Sequence, residues 1–276
     1  MDRRYSYEGE THNLTGLAHG PGVLTKYYRD GSAQWIYDGH FSEGMRHGNG
    51  TLSWLKEVNK YVGEWSLDRK HGVGVLETPR GTYVGDFMFG KPGGIGKYTL
   101  KATGLSRGGE WWRSYQHGKG WKDYQDGSRY EGMFFKDFRR GNGTMRWANG
   151  DNYTGSWEMD MVNGRGVYCY ADGSHSEGNF FVGRLHFEGN HTWPNGDRYT
   201  GQWENGLRHG EGLMVFANSS MPEQRGEWFN DKFSRSRNLT DPEERMIEHF
   251  GFGFRWLTPG PKKGYGGKRG RKLKIR

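Results

Sequence analysis

Long aliphatic runs are missing from this sequence. It has no stretch of 18 consecutive apolar residues, the length a membrane-spanning helix requires, and only 32% of its 276 residues are hydrophobic. That leaves too few aliphatic side chains for a broad three-dimensional core. Cysteine occurs once, as Cys169, which excludes an internal disulfide framework and fits a reducing compartment. The opening MDRRYSYEGE lacks the apolar stretch of a signal peptide, and its early acids argue against a transit peptide, so the expected location is cytoplasmic. Catalytic signatures are missing as well: there is no G-x-S-x-G elbow and no H-E-x-x-H pair. GDFMFGKP (85–92) has Pro92 where a phosphate loop needs Ser or Thr for magnesium, and GNGTMRWANG (141–150) opens a strand rather than a helix. The expectation is no enzyme, no cofactor, no metal and no small-molecule substrate.

What is abundant is glycine, 48 residues, and aromatic rings, 16% of the chain. They recur in register. YVGEWSLDRKHGVG opens at Tyr61, YEGMFFKDFRRGNG at Tyr130, YTGSWEMDMVNGRG at Tyr153 and YTGQWENGLRHGEG at Tyr199; looser copies start at Tyr37, Tyr83 and Ser176. The period is 22 to 24 residues, and worn copies near Tyr7, at 108–120 and at 225–233 bring the total to roughly ten, which marks a stacked repeat architecture. A phosphate loop is needed once, whereas a glycine in every unit serves the unit's fold.

In YVGEW, Tyr61, Gly63 and Trp65 are two apart and share one face of a strand. In HGVGVLET, Gly72, Gly74 and Leu76 fall on one face and Val73, Val75 and Glu77 on the other. Alternation broken by a five- to six-residue, often Gly-containing link predicts a β-hairpin. The glycines become sockets for the rings of the same or the adjacent hairpin. DGS at 126–128 and 172–174 and PNGDRY at 194–199 supply turn chemistry between units. The predicted fold is all-β: an elongated, single-layer, twisted antiparallel sheet of stacked hairpins over 1–234, then a short capping helix in 235–252 and an extended basic tail over 253–276.

The pattern Y-x-G-x-W, a turn, then H-G-x-G resembles the MORN (membrane occupation and recognition nexus) repeat. It is read in Tyr61, Gly63, Trp65, His71, Gly72 and Gly74, and again in Tyr199, Gly201, Trp203, His209, Gly210 and Gly212. The resemblance covers roughly residues 5–234. Gly93, Arg140 and Asn163 depart from it at the His position, Phe187 at the following Gly, and Ser176 and Phe180 at the Tyr and Trp, so sheet irregularity is expected around 90–110 and 176–190. It implies a non-catalytic scaffold of a large assembly, resembling radial spoke head components of cilia and flagella or cortical cytoskeletal proteins. Two further implications are a membrane-surface tether for phosphoinositides and a regulatory module of an enzyme carried on a separate chain.

Among candidate residues, His47, His71, His186 and His209, joined by His117, share one repeat position. Equivalent residues roughly 9 to 10 Å apart cannot chelate one ion, so turn packing is expected of them. Cys169, six residues before His175, is expected to be an inert mid-strand thiol. Glu64 and Asp86 are expected outside, solvated or paired with Lys or Arg across the strand. The ring column Tyr37, Phe41, Tyr61, Trp65, Tyr83, Phe87, Tyr130, Phe134, Tyr153, Trp157, Tyr199 and Trp203 is a candidate partner-binding face; packing against the sheet's own glycines is the other reading.

LTDPEERMIEHFG offers Thr240 or Asp241 as an N-cap and Met246, Ile247 and Phe250 as an apolar stripe for the capping helix. In the tail, Lys262, Lys263, Lys268, Arg269, Arg271, Lys272, Lys274 and Arg276 account for the whole excess of 40 cations over 32 acids. Its expected partner is anionic: an acidic protein such as tubulin, RNA, or lipid. Open sheet edges also permit a head-to-tail homo-oligomer.

Overall fold

The computed structural model describes residues 4–236. Twenty strands form ten consecutive hairpins. They are β1 (Tyr5–Thr11) with β2 (Ala18–Tyr27), β3 (Ala33–Ser42) with β4 (Met45–Trp54), β5 (Asn59–Ser66) with β6 (Arg69–Glu77), β7 (Gly81–Met88) with β8 (Lys91–Leu100), and β9 (Ser106–Trp112) with β10 (Tyr115–Asp123). The second half continues with β11 (Arg129–Phe135) and β12 (Phe138–Arg146), β13 (Asn152–Glu158) and β14 (Met161–Cys169), β15 (His175–Phe181) and β16 (Arg184–Thr192), β17 (Arg198–Glu204) and β18 (Leu207–Val215), and β19 (Gln224–Phe229) with β20 (Lys232–Ser236). Each strand pairs antiparallel with its neighbours in sequence, so the described residues form one open meander. At about 4.8 Å per strand, the ladder is roughly 90 Å long. Strand β20 runs to Ser236, two residues into the segment 235–252 expected to hold the capping helix; the rest of that segment and the basic tail lie outside the described residues.

Two features differ from the sequence reading. Nine of the ten hairpins close through two-residue turns, not five- or six-residue links; only the first, β1 with β2, keeps a six-residue link over 12–17. Leu67 and Asp68 have φ of 49° and 62°, Lys136 and Asp137 49° and 70°, and Met159 and Asp160 48° and 67°. Paired positive φ is the turn geometry whose twist matches that of the flanking strands, so the strands run right up to it. The sheet is also continuous through 90–110 and 176–190, where β8, β9, β15 and β16 keep antiparallel pairing. Between hairpins the expected turns are present: Tyr124 N donates to Ser128 O and Tyr170 N to Ser174 O, both 2.9 Å, with Gly127 and Gly173 at φ 90°.

The core lies on one face of the ladder. Tyr37 crosses its own hairpin, where a β-carbon at Gly39 or Gly50 would overlap its ring; Gly63 and Gly74 stand in the same relation to Tyr61. The paired glycines face each other across the strands, Gly39 to Gly50 and Gly63 to Gly74. The first glycine of each G-x-G serves differently. Gly72 has φ 55° and Gly94 φ 91°, and each sits where the register shifts, against the carboxylates of Glu64 and Asp86. It makes the bulge rather than a socket.

Candidate functional site

The sheet has a ring face, carrying the Tyr and Trp positions, and an outer face. On the ring face each tyrosine touches two aromatic rings edge to face, one four residues on and one in the next hairpin. Tyr61 lies 5.2 Å from Trp65 and 4.9 Å from Phe87, and Tyr153 lies 5.4 Å from both Trp157 and Phe180. Such geometry is favourable beyond the area it buries. Tyr61 Oη donates to Glu64 O at 2.9 Å and Tyr37 Oη to His40 O at 2.9 Å. Indole N–H groups reach back one hairpin: Trp65 Nε1 donates to Gly50 O (3.2 Å), Trp157 Nε1 to Gly143 O (3.1 Å) and Trp203 Nε1 to Gly189 O (2.9 Å). Burial pushes the Tyr37 and Tyr153 hydroxyls up to about 12 and also raises those of Tyr61, Tyr83, Tyr130 and Tyr199.

Where the twelve candidate binding rings sit is therefore clear. Tyr37, Phe41, Tyr61, Trp65, Tyr83, Phe87, Tyr130, Phe134, Tyr153, Trp157, Tyr199 and Trp203 are between 0% and 7% exposed. They form the sheet's own packing and keep no broad face free. The surface of the ring face is a second tier of half-buried rings packed over them, including Trp54, Trp147, Tyr168, Trp193 and Phe216. Trp147 stacks on Tyr168 at 5.2 Å and 25°, and Tyr168 meets Tyr170 at 4.3 Å. Where Ser176 replaces the tyrosine, His191 closes the gap, its Nδ1 2.8 Å from Ser176 Oγ. Burial lowers the His191 pKa, with His175 adding to the effect.

Three arginines that sequence reasoning passed over tie the hairpins together. Arg139 Nε donates to Asp160 Oδ1 (2.9 Å) and its Nη2 to Asp160 O (2.7 Å), while its guanidinium lies 4.3 Å from the Trp157 ring centre. Arg46 binds Asp68 and Trp65, and Arg208 binds Asp231 and Trp228, in the same way. Each arginine grips the turn and the indole of the following hairpin. The available signal was basic residues at 46, 139 and 208 with Asp in the next turn, 21 to 23 positions on.

Glu64 is exposed on the outer face, as expected of a solvated side chain, and Asp86 is half-buried. Among the described residues their partners are backbone amides rather than Lys or Arg: Glu64 Oε1 accepts from Val73 N (3.0 Å) and Asp86 Oδ2 from Ile95 N (2.7 Å), satisfying a donor freed by the bulge. Of the repeat-position histidines, His117 packs 4.9 Å from Phe135, His186 4.4 Å from Phe187 and His209 5.1 Å from Phe229. Cys169 is half-buried at the end of β14, opposite His175 across the strands. The basic tail residues Lys262 to Arg276 lie outside the described residues.

The aromatic and glycine registers coincide with a family signature. The MORN repeat model matches residues 37–54, 61–82, 83–101, 109–129, 130–152, 153–175 and 199–221, more than half of the chain. The chain belongs to the MORN-repeat family. The unmatched stretch between 175 and 199 is the one with Ser176 in the tyrosine slot, and it still folds as a MORN hairpin, β15 with β16. Among curated proteins, alsin of Rattus norvegicus is 33% identical over 97 residues, and alsin of Homo sapiens 32% over the same length. That match takes 33% of this chain and 6% of alsin, so the chain spans a small fraction of these relatives. A solved structure of the SAS-4 TCP domain in complex with a proline-rich motif of Ana2, from Drosophila melanogaster, aligns over 69% of this chain and 93% of that one. Its identity is 12% and its TM-score 0.34, a similarity too slight to bear on function. The MORN array is a repeat scaffold whose surfaces suit protein or membrane binding.

Proposed function

We propose that this MORN protein is a non-catalytic scaffold of a multi-subunit assembly, of the radial-spoke type in a ciliary or flagellar axoneme. It holds partner proteins on the second aromatic tier of its ring face, and its basic tail meets an acidic protein surface such as tubulin. The observation that carries the reading is the ladder itself. One continuous sheet repeats a half-buried ring, among them Trp54, Trp147, Trp193 and Phe216, above a floor of buried ones, and half-buried Trp and Tyr are the side chains that anchor protein interfaces.

Full-length protein should co-sediment with microtubules more than with RNA or acidic liposomes, and a tagged copy should enrich in axonemes of ciliated cells. Trp147→Ser with Trp193→Ser should release the axonemal partners while leaving tail-dependent sedimentation unchanged. Retention on liposomes alone would replace the scaffold with a membrane tether, and retention on RNA alone with an RNA-associated subunit.

A further inference from the structure

The outer face carries a cluster that the repeat does not require. At the tip of each of the nine hairpins with a two-residue turn, the residue after the Trp position and the first residue past the turn face each other on the outer face. In most hairpins at least one is polar or charged: Ser42 opposite Met45, Ser66 opposite Arg69, Glu158 opposite Met161, Phe181 opposite Arg184. The chain thus shows within itself that a polar residue at these positions is compatible with the fold. Two adjacent hairpins break the pattern: Trp112 faces Tyr115, and Phe135 faces Phe138. All four rings are exposed, at 46%, 46%, 37% and 43%. His117 bridges the two pairs, 5.8 Å from Trp112 and 4.9 Å from Phe135. Beside His117 and Phe135, on the side away from the other three rings, lies an open depression of about 320 Å³, lined also by Met133 and Arg140.

The rim of this cluster is cationic. The Arg113 guanidinium lies 4.8 Å from the Trp112 ring, Arg140 5.1 Å and Lys136 Nζ 5.6 Å from Phe135. Arg140 also pairs with Glu158 at 3.5 Å. Aromatic rings with arginine, grouped around a recess, have the composition of an interface centre, and an exposed apolar cluster of this kind marks a contact surface. The acids of the same face choose among anionic partners. Glu158 pairs with Arg140 at the rim, and farther along the same face Glu131 is held by Arg129 and Arg146. A flat anionic sheet such as a membrane, or a long phosphate backbone, would press its charge on these acids too. A narrow segment can meet Arg113 and Lys136 and avoid them.

We infer that the Trp112–Tyr115–His117–Phe135–Phe138 cluster is a docking site for an acidic protein segment. The segment sets one bulky apolar side chain into the recess and its carboxylates against Arg113 and Lys136. This site is on the face opposite the tier of the proposed scaffold function and does not depend on it.

The test uses the full-length chain with its eight tail cations changed to glutamine, and fluorescence anisotropy of a labelled acidic decapeptide with two central phenylalanines. Trp112→Ser with Phe135→Ser, serine being what Ser42 and Ser66 supply at the same position, should weaken binding at least tenfold. Arg113→Glu with Lys136→Glu should weaken it similarly and gain binding of a lysine-for-glutamate counterpart peptide. Phe181→Ser, a lone ring at the equivalent position, should change nothing. Equal affinity in the Trp112/Phe135 variant would overturn the site, as would equal binding of an all-glutamate peptide without phenylalanine. Displacement of the peptide by phosphatidylserine vesicles with a tighter vesicle affinity would assign the patch to membranes instead.

Discussion

Gly50 has no room for a methyl group because the Tyr37 ring already fills the space above it. Gly50→Ala should therefore cost roughly 1 to 3 kcal/mol of unfolding free energy, as overpacking of a close-packed site does. In a Tyr37→Ala background the added cost of the alanine should shrink sharply; an undiminished cost, read by urea titration, would show that the ring is not what the glycine accommodates. Titratable residues of this floor set a pH dependence of opposite sign on either side of about pH 10. Lys70 lies against Trp54, Tyr61 and Phe87, and burial, helped by the Arg46 charge, lowers its pKa to about 8. Between pH 8 and the ordinary lysine value the unfolded chain binds the extra proton, so stability rises with pH through that window. Lys70→Met should stabilise the chain at pH 7, by on the order of 1 to 2 kcal/mol, and the gain should fade as pH approaches 10. The buried tyrosines act the other way. Their folded pKa values are raised, so their contribution is whole below about pH 10 and lost above it, and alkaline unfolding should begin there.

The hairpin is held by parts of unequal visibility. Which side chains line the ring face could be read from a period of two within units and about 23 between them, because rings and sockets alternate strictly. Turn length could not be read that way: Leu67 and Val182 take positive φ, at 49° and 48°, where composition suggests continuing strand, and only the pull of two fully paired strands holds them there. Replacing the β-branched Val182 by Asn should therefore stabilise by about 1 kcal/mol, seen as a higher unfolding midpoint. The roles of Glu64 and Asp86 were hidden for a related reason: a bulge creates their backbone partners, and alternation does not announce bulges. The arginine grip was hidden by distance, since Arg139 and Asp160 belong to different units. Arg139→Ala should cost about 1 to 3 kcal/mol, and a cycle with Asp160→Asn should show about 1 kcal/mol of coupling. Simple additivity would mean that the two side chains act independently. At the binding level, the ring column suggested by sequence is the floor, and the half-buried tier above it came from residues just past the second strand, such as Trp147 and Phe216, which periodicity alone did not rank as surface.

Across the whole array the core is not continuous. Buried residues fall into two clusters, one from Tyr37 to Trp111 and the other from Tyr130 to Trp228. Between them Arg107 and Lys122 face each other where hairpins such as β5–β6 and β11–β12 place Tyr and an apolar partner, and Gln116 is buried beneath. Burial and the nearby Arg107 lower the Lys122 pKa. Arrays of this kind gain stability unit by unit and interface by interface, so denaturant should melt the halves in two steps, with amide exchange fastest near 107–129. Arg107→Tyr with Lys122→Leu should join the clusters and merge the steps; a single transition in the unaltered protein would remove the idea of a seam. Among the described residues every strand bonds only to those adjacent in the chain, so no hairpin of the ladder waits for a distant described segment to arrive. Contacts this local favour rapid folding, and each unit can lock onto the one before it while the rest of the polypeptide is still being synthesised. The ladder of residues 4–236 can thus be built in the order in which it is translated.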